Sequence, residues 1–118
     1  MNNKESTRYA SSIQEKRIAS KFNGIVNPNS GAGLWKKGDV YIPSANVTIE
    51  CKTCLTDKQS FSIKKEWIEK DKKEAFISRT DNSIIAFNFG FENPDDYYVI
   101  DDKLAKFLID KLTEEAEG

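Results

Sequence analysis

Residues 38–53, GDVYIPSANVTIECKT, constrain the fold more than any other stretch of the chain. Two alternating runs, residues 38–42 and 47–52, flank Pro43-Ser44-Ala45-Asn46, a turn-forming segment of the kind that joins antiparallel strands. A turn closed symmetrically about Ser44 and Ala45 places opposite each other residues whose numbers sum to 89, so Asp39 faces Glu50. Opposed side chains on one face of an antiparallel pair have Cβ atoms roughly 4.5–5.5 Å apart, and like charges there destabilise the sheet. A divalent cation would compensate them. In the second arm Val47, Ile49 and Cys51 point one way and Thr48, Glu50 and Lys52 the other. Glu50 and Lys52 therefore share a face with Asp39, while Val40 and Ile42 share the opposite face with Ile49.

The chain has 118 residues, which suits one domain with its own core. Hydrophobic residues at 38% and charged residues at 31% describe a soluble protein with a polar surface. No apolar run approaches the roughly 20 residues a bilayer requires, and the amino terminus lacks the apolar segment of a signal peptide. A cytoplasmic protein with no membrane partner is expected. Histidine is absent, which excludes Ser-His-Asp and Cys-His catalysis and zinc sites with imidazole ligands. Acid–base chemistry must rest on carboxylates, lysine, tyrosine or metal-bound water. Cys51 and Cys54 form a CxxC, but no further thiolates exist to complete a zinc site, and Cys51 falls within a strand rather than at the start of a helix. The pair reads as one small buried residue and a bystander.

The net charge of −1 divides unevenly: residues 1–91 carry fifteen Lys/Arg against ten Asp/Glu, and residues 92–118 carry three against nine. A mildly basic body could meet a polyanion while the acidic end stays away from it.

Residues 1–10 are polar and expected to be flexible, residues 11–112 to form a single domain, and residues 113–118 to be an acidic tail. A helix is expected over residues 11–22, with Ser11 or Ser12 as N-cap and Gly24 beyond its end. Its apolar face carries Ile18, Ala19 and Phe22 at helical spacing from Glu15, the single charge there, while Gln14, Lys16, Arg17 and Lys21 lie elsewhere. Residues 24–26 form a short strand candidate, and the Ser30-Gly31-Ala32-Gly33 loop lacks the Gly-Lys-Ser/Thr of a phosphate loop. Residues 59–63 read as a third strand, 64–78 as a helix lying on the sheet through Trp67, Ile68, Ala75 and Phe76, 83–91 as a buried strand and 97–100 as another. The acids Glu66, Glu69, Asp71 and Glu74 interleave with the lysines of that helix and read as a solvated, salt-bridged face. Asp101 or Asp102 caps a last helix ending at Leu112. The fold class is α/β (α+β), a mixed sheet flanked by helices.

Mg²⁺, with Mn²⁺ as a substitute, takes oxygen ligands in octahedral geometry while keeping several waters. Asp39, Glu50, the backbone carbonyl of Cys51 and Glu15 could supply that set. Lys52 could orient or deprotonate an attacking water, or stabilise the charge of a transition state. Phosphodiester hydrolysis is the reaction that fits.

Gly38-Asp39 followed by Glu50-Cys51-Lys52 resembles the signature of the PD-(D/E)xK nuclease superfamily. Over residues 12–91 the order of a helix glutamate, a glycine-serine loop, the Asp, the ExK, a QSFSIKKE segment, a helix and an apolar strand is similar to the small Holliday-junction resolvases of archaea and phages. The resemblance implies a restriction-endonuclease-like core and a Mg²⁺-dependent DNA endonuclease acting in recombination and repair. It implies catalytic roles for Asp39, Glu50, Lys52, Glu15 and Ser30. It also implies a homodimer on a four-way junction, with Ser30, Gly31, Lys36, Lys37, Lys64 and Lys65 near the nucleic acid. Asn27-Pro28-Asn29 stands where the family tends to carry an arginine. A restriction- or repair-type endonuclease on the same fold, or a nucleic-acid-binding module without turnover, are the alternatives.

Overall fold

The hairpin closes in the expected register. Strands β2 (Val40–Ile42) and β3 (Val47–Lys52) are antiparallel with Val40 opposite Ile49, Tyr41 opposite Thr48 and Ile42 opposite Val47, each pair summing to 89. Asn46 closes the turn with a positive φ of 52°, which asparagine tolerates better than most residues. Its side chain accepts from the Tyr41 hydroxyl at 3.0 Å and donates to the Arg79 carbonyl at 3.0 Å, tying the turn to the chain that follows α2 (Lys65–Ser78).

The structure is a computed structural model that describes residues 3–27, 38–93 and 95–118, with side chains from residue 7 onward. Around the hairpin stand α1 (Asn3–Phe22), β1 (Ile25–Val26), β4 (Asn82–Phe87), β5 (Tyr97–Val99) and α3 (Asp102–Glu117). The five strands form one mixed sheet in the order β1-β2-β3-β4-β5. β1–β2, β2–β3 and β4–β5 are antiparallel, whereas β3 and β4 are parallel and joined through α2, as a parallel pair requires a crossover. Among the described residues no helix is long and apolar enough to cross a membrane.

The core lies on one face of this sheet. Ile18 and Ala19 of α1 pack against Val40, Ile42, Val47, Ile49, Cys51 and Ala86. Thr48, Glu50 and Lys52 consequently project from the other face, toward α2.

Several expectations are corrected. Helix α1 begins at Asn3 rather than near Ser11, so the expected flexible segment is largely helical. Its buried stripe runs through Ala10, Gln14 and Ile18, and Gln14, expected off the apolar face, is 1% exposed. Residues 59–63 form no strand; Phe61 instead stacks on Phe87, with ring centroids 5.0 Å apart, and lies 6.2 Å from Trp67. β4 stops at Phe87, where Asn88 takes over by accepting from Thr53 Oγ1 and the Gly90 amide. In α2 the sheet-facing stripe is Asp71, Ala75 and Ser78, and Phe76, expected in contact, is 85% exposed. Helix α3 is capped by Asp101, whose Oδ1 accepts from the Leu104 amide at 2.9 Å, and continues past Leu112 to Glu117. Good helix formers and the Lys106–Asp110 and Lys111–Glu114 pairs carry it through the acidic end.

Candidate metal centre

β2 pairs with β3 only as far as Val40 opposite Ile49, so among the described strands Glu50, Cys51 and Lys52 pair with β4 and not with β2. Asp39 occupies the edge on the β2 side. Its backbone amide donates to the Ile49 carbonyl at 3.1 Å, and its Oδ2 accepts from the Cys51 amide at 2.8 Å. Asp39 is thereby latched to the backbone on either side of Glu50, through its own amide at Ile49 and its carboxylate at Cys51. The amide and carbonyl of one strand residue leave toward the same edge, so the Cys51 carbonyl opens on the side of Asp39.

The approach to Asp39 is fixed from the other direction too. Gly38 has φ +98°, and a Cβ there would lie 3.1 Å from Thr48 Cβ, so this turn requires glycine. Asn27 Nδ2 donates to the Gly38 carbonyl at 3.1 Å, and the Asn27 amide donates to the Asp39 carbonyl at 2.8 Å.

Five carboxylates, those of Glu15, Asp39, Glu50, Asp71 and Glu74, gather at this edge. Burial holds the Asp39 carboxyl above its ordinary range, against the opposing pull of the Cys51 amide, Lys52 and Lys70. Glu50 is pushed up to about 7, first by burial, then by Asp39 and Asp71. Glu15, half-buried on α1, is pushed up to about 7 by burial and then by Asp39. Asp71 is raised to about 6 by burial and then by Glu74. One carboxylate oxygen each from Glu50, Asp71 and Glu74 lies within 4.8 Å of the other two.

Lys52 Nζ stands 4.0 Å from Glu50 Oε1 and 4.3 Å from the centroid of the Trp67 ring, a cation–π contact that keeps the ammonium beside the acids. Its carbonyl accepts from Gln14 Nε2 at 2.9 Å, which anchors the end of β3 to α1. Arg17, one turn on, grips Asp96 with a two-point fork at 2.8 and 2.7 Å, and the Asp96 side chain is fully shielded from solvent.

The sequence-derived residues Asp39, Glu50 and Lys52 thus meet at one edge, with Glu15 within electrostatic reach of Asp39. Lys64 and Lys65 are exposed at the start of α2; Lys64 Nζ lies 5.7 Å from the Trp67 centroid and Lys65 pairs with Glu69 at 3.7 Å. Ser30, Gly31, Lys36 and Lys37 fall outside the described residues. Cys51 is buried, and burial pushes its thiol far above its ordinary range, so a thiolate role is disfavoured.

Sequence reasoning missed Asp71, Glu74, Trp67 and Gln14. For Asp71 a signal existed: Ala75 and Ser78, at i+4 and i+7, are small residues suited to a helix stripe lying close on a sheet. For Gln14 and Asp96 none existed, because their partners lie 38 and 79 residues away in the chain.

The chain matches no family model, no curated protein and no solved structure.

With all groups ionised, Glu15, Asp39, Glu50, Asp71 and Glu74 set five negative charges against the two positive charges of Lys52 and Lys70. Such an excess of negative charge suits divalent cations. Oxygen donors alone, with no imidazole, fit Mg²⁺ or Mn²⁺.

Proposed function

We propose that this protein is a Mg²⁺-dependent endodeoxyribonuclease with a restriction-endonuclease-like core, resolvase-like in its choice of branched DNA. The observation that carries the reading is the latch of Asp39 Oδ2 on the Cys51 amide. It brings the aspartate alongside Glu50 at the point where β2 stops, with Lys52 on the same face.

Asp39, Glu50 and the Cys51 carbonyl would hold the cation, which would supply Lewis acidity toward a phosphodiester and its attacking water. The residues of the chain do the rest. Asp39 and Glu50 neutralise and position the ion. Lys52, held by Glu50 and Trp67, points proton donors at the phosphoryl oxygens as their charge grows. Glu15, pushed up to about 7, can hold or release a proton near neutral pH. In hydrolysis the water oxygen gives up a proton as it bonds to phosphorus, one P–O bond to the DNA strand breaks, and the departing oxygen takes up a proton.

A second copy completes the reading. Helix α3 buries none of its residues and exposes Phe107, Leu108, Ile109 and Leu112. Lys103 and Lys106 outnumber Asp102 in its first half, and Asp110, Glu114, Glu115 and Glu117 outnumber Lys111 in its second. Two such helices packed antiparallel would cover the apolar stripe and set the basic half of each against the acidic half of the other, a self-complementary two-fold contact. A homodimer presents two cleavage sites, as paired nicking of a four-way junction requires.

The test is cleavage of a synthetic four-way junction and a linear duplex at several salt concentrations. Asp39→Asn and Lys52→Ala are expected each to lower the rate by about 100-fold or more while leaving the fold intact. Preference for the junction supports the resolvase reading, and equal rates on linear duplex the restriction- or repair-type alternative. Salt-dependent binding without cleavage leaves a nucleic-acid-binding module.

A further inference from the structure

Thr48 and Ser83 are neighbours across the β3–β4 pair, on the side of the sheet that faces α2. Between them and the helix lies a cleft lined by Gly38, Thr48, Glu50, Asp71, Glu74 and Ser83. Acidic groups often cluster on a protein surface with no ligand. Asp71 is different: the residue is only 7% exposed and its Oδ2 has no hydrogen-bond partner. Among the described residues no lysine or arginine forms an ion pair with it. Lys52 reaches Glu50 only at 4.0 Å and Lys70 reaches Glu74 only at 3.9 Å, both at the outer edge of ion pairing. A buried carboxylate persists where it is paired or coordinates a metal, and Asp71 has no such pairing among the described residues.

We infer that Glu50, Asp71 and Glu74 hold a hard divalent cation of the Mg²⁺ or Mn²⁺ class in this cleft, separate from the ion between Asp39 and Glu50. The three carboxylates already lie within 4.8 Å of one another, the spacing of ligands around one ion. The Thr48 and Ser83 hydroxyls in the same cleft add neutral oxygen donors. None of the described lining residues offers sulfur or imidazole, which selects against zinc and copper. Glu50, with two carboxylate oxygens, would be shared by the two sites. Paired ions of this kind stabilise both the attacking and the leaving oxygen of an in-line displacement. That role rests on the nuclease reading; the binding site itself does not.

Titration of the full chain with Mn²⁺ by calorimetry tests this. Two equivalents are expected for the unaltered protein. Asp71→Asn and Glu74→Gln are each expected to remove one equivalent, or weaken it by at least about 10-fold, and to leave the other in place. Asp39→Asn is expected to spare the equivalent that these two variants remove. Glu74 is only half-buried, so its variant decides the matter should Asp71→Asn fail to fold. Wild-type stoichiometry and affinity in the Glu74 variant overturn the inference. So does a single equivalent removed by Asp39→Asn. An equivalent lost with Asp71→Asn but kept in Asp39→Asn, in a protein that cuts no DNA, upholds this site and sinks the nuclease reading.

Discussion

Asp39 sits within electrostatic reach of Glu15 on α1 and Glu50 on β3, and it raises the proton affinity of both. This has a consequence for stability. Glu15 and Glu50 have folded-state values of about 7 against ordinary values of 4.5, so protons bind more tightly to the folded chain than to the unfolded one. The stability they contribute is fully present below pH 4.5 and is lost as pH rises through about 7. Thermal denaturation without divalent ions is therefore expected to show a melting temperature that falls from about pH 5 to about pH 8. Excess Mn²⁺, which binds the ionised carboxylates of the folded chain, is expected to reduce that fall. A melting curve indifferent to both pH and Mn²⁺ would contradict the assigned cluster. At this scale Asp39, Glu50 and Lys52 were legible in the sequence because a period of two and a turn of known length set their positions. Asp71 and Gln14 were not, because their burial depends on how each helix is rotated against the sheet.

Among the elements, the hairpin was read with its register, since Val40 opposite Ile49 follows from the turn alone. Residues 59–63 mislead because aromatic and alternating residues also suit a loop that packs a ring, here Phe61 on Phe87, against the sheet. Helix α3 was placed correctly at its cap, yet its end was set too early, since local ion pairs and helix propensity outweigh the repulsion among glutamates. Its exposed apolar stripe carries the dimer proposal. Leu108→Glu would set a charge in the middle of that stripe, and sedimentation of the variant is expected to show monomer where the parent chain shows dimer. Because Leu108 is 43% exposed, the fold of one copy should survive the change. A parent chain that sediments as a monomer at every concentration would remove α3 as a dimer contact.

On the scale of the whole molecule, α1 covers one face of the sheet, and α2 brings its acids to Glu50 on the other. The acids of α1, the Asp39 edge, β3 and α2 gather where β2 ends and β3 continues alone beside β4. A mixed sheet flanked by helices was legible from the order of apolar runs. The convergence of Glu15 and Asp71 on the same edge was not, since it depends on long-range packing of both helices. The central claim is that this edge binds a divalent cation in order to break phosphodiester bonds. The most direct measurement compares the unaltered chain with Glu50→Gln in cleavage of a four-way junction, with Mg²⁺ present and with chelator. Cleavage is expected only with Mg²⁺, and Glu50→Gln is expected to lower the rate by about 100-fold or more while its circular dichroism stays unchanged. Full activity in the Glu50 variant, or cleavage undiminished by chelator, would contradict the account.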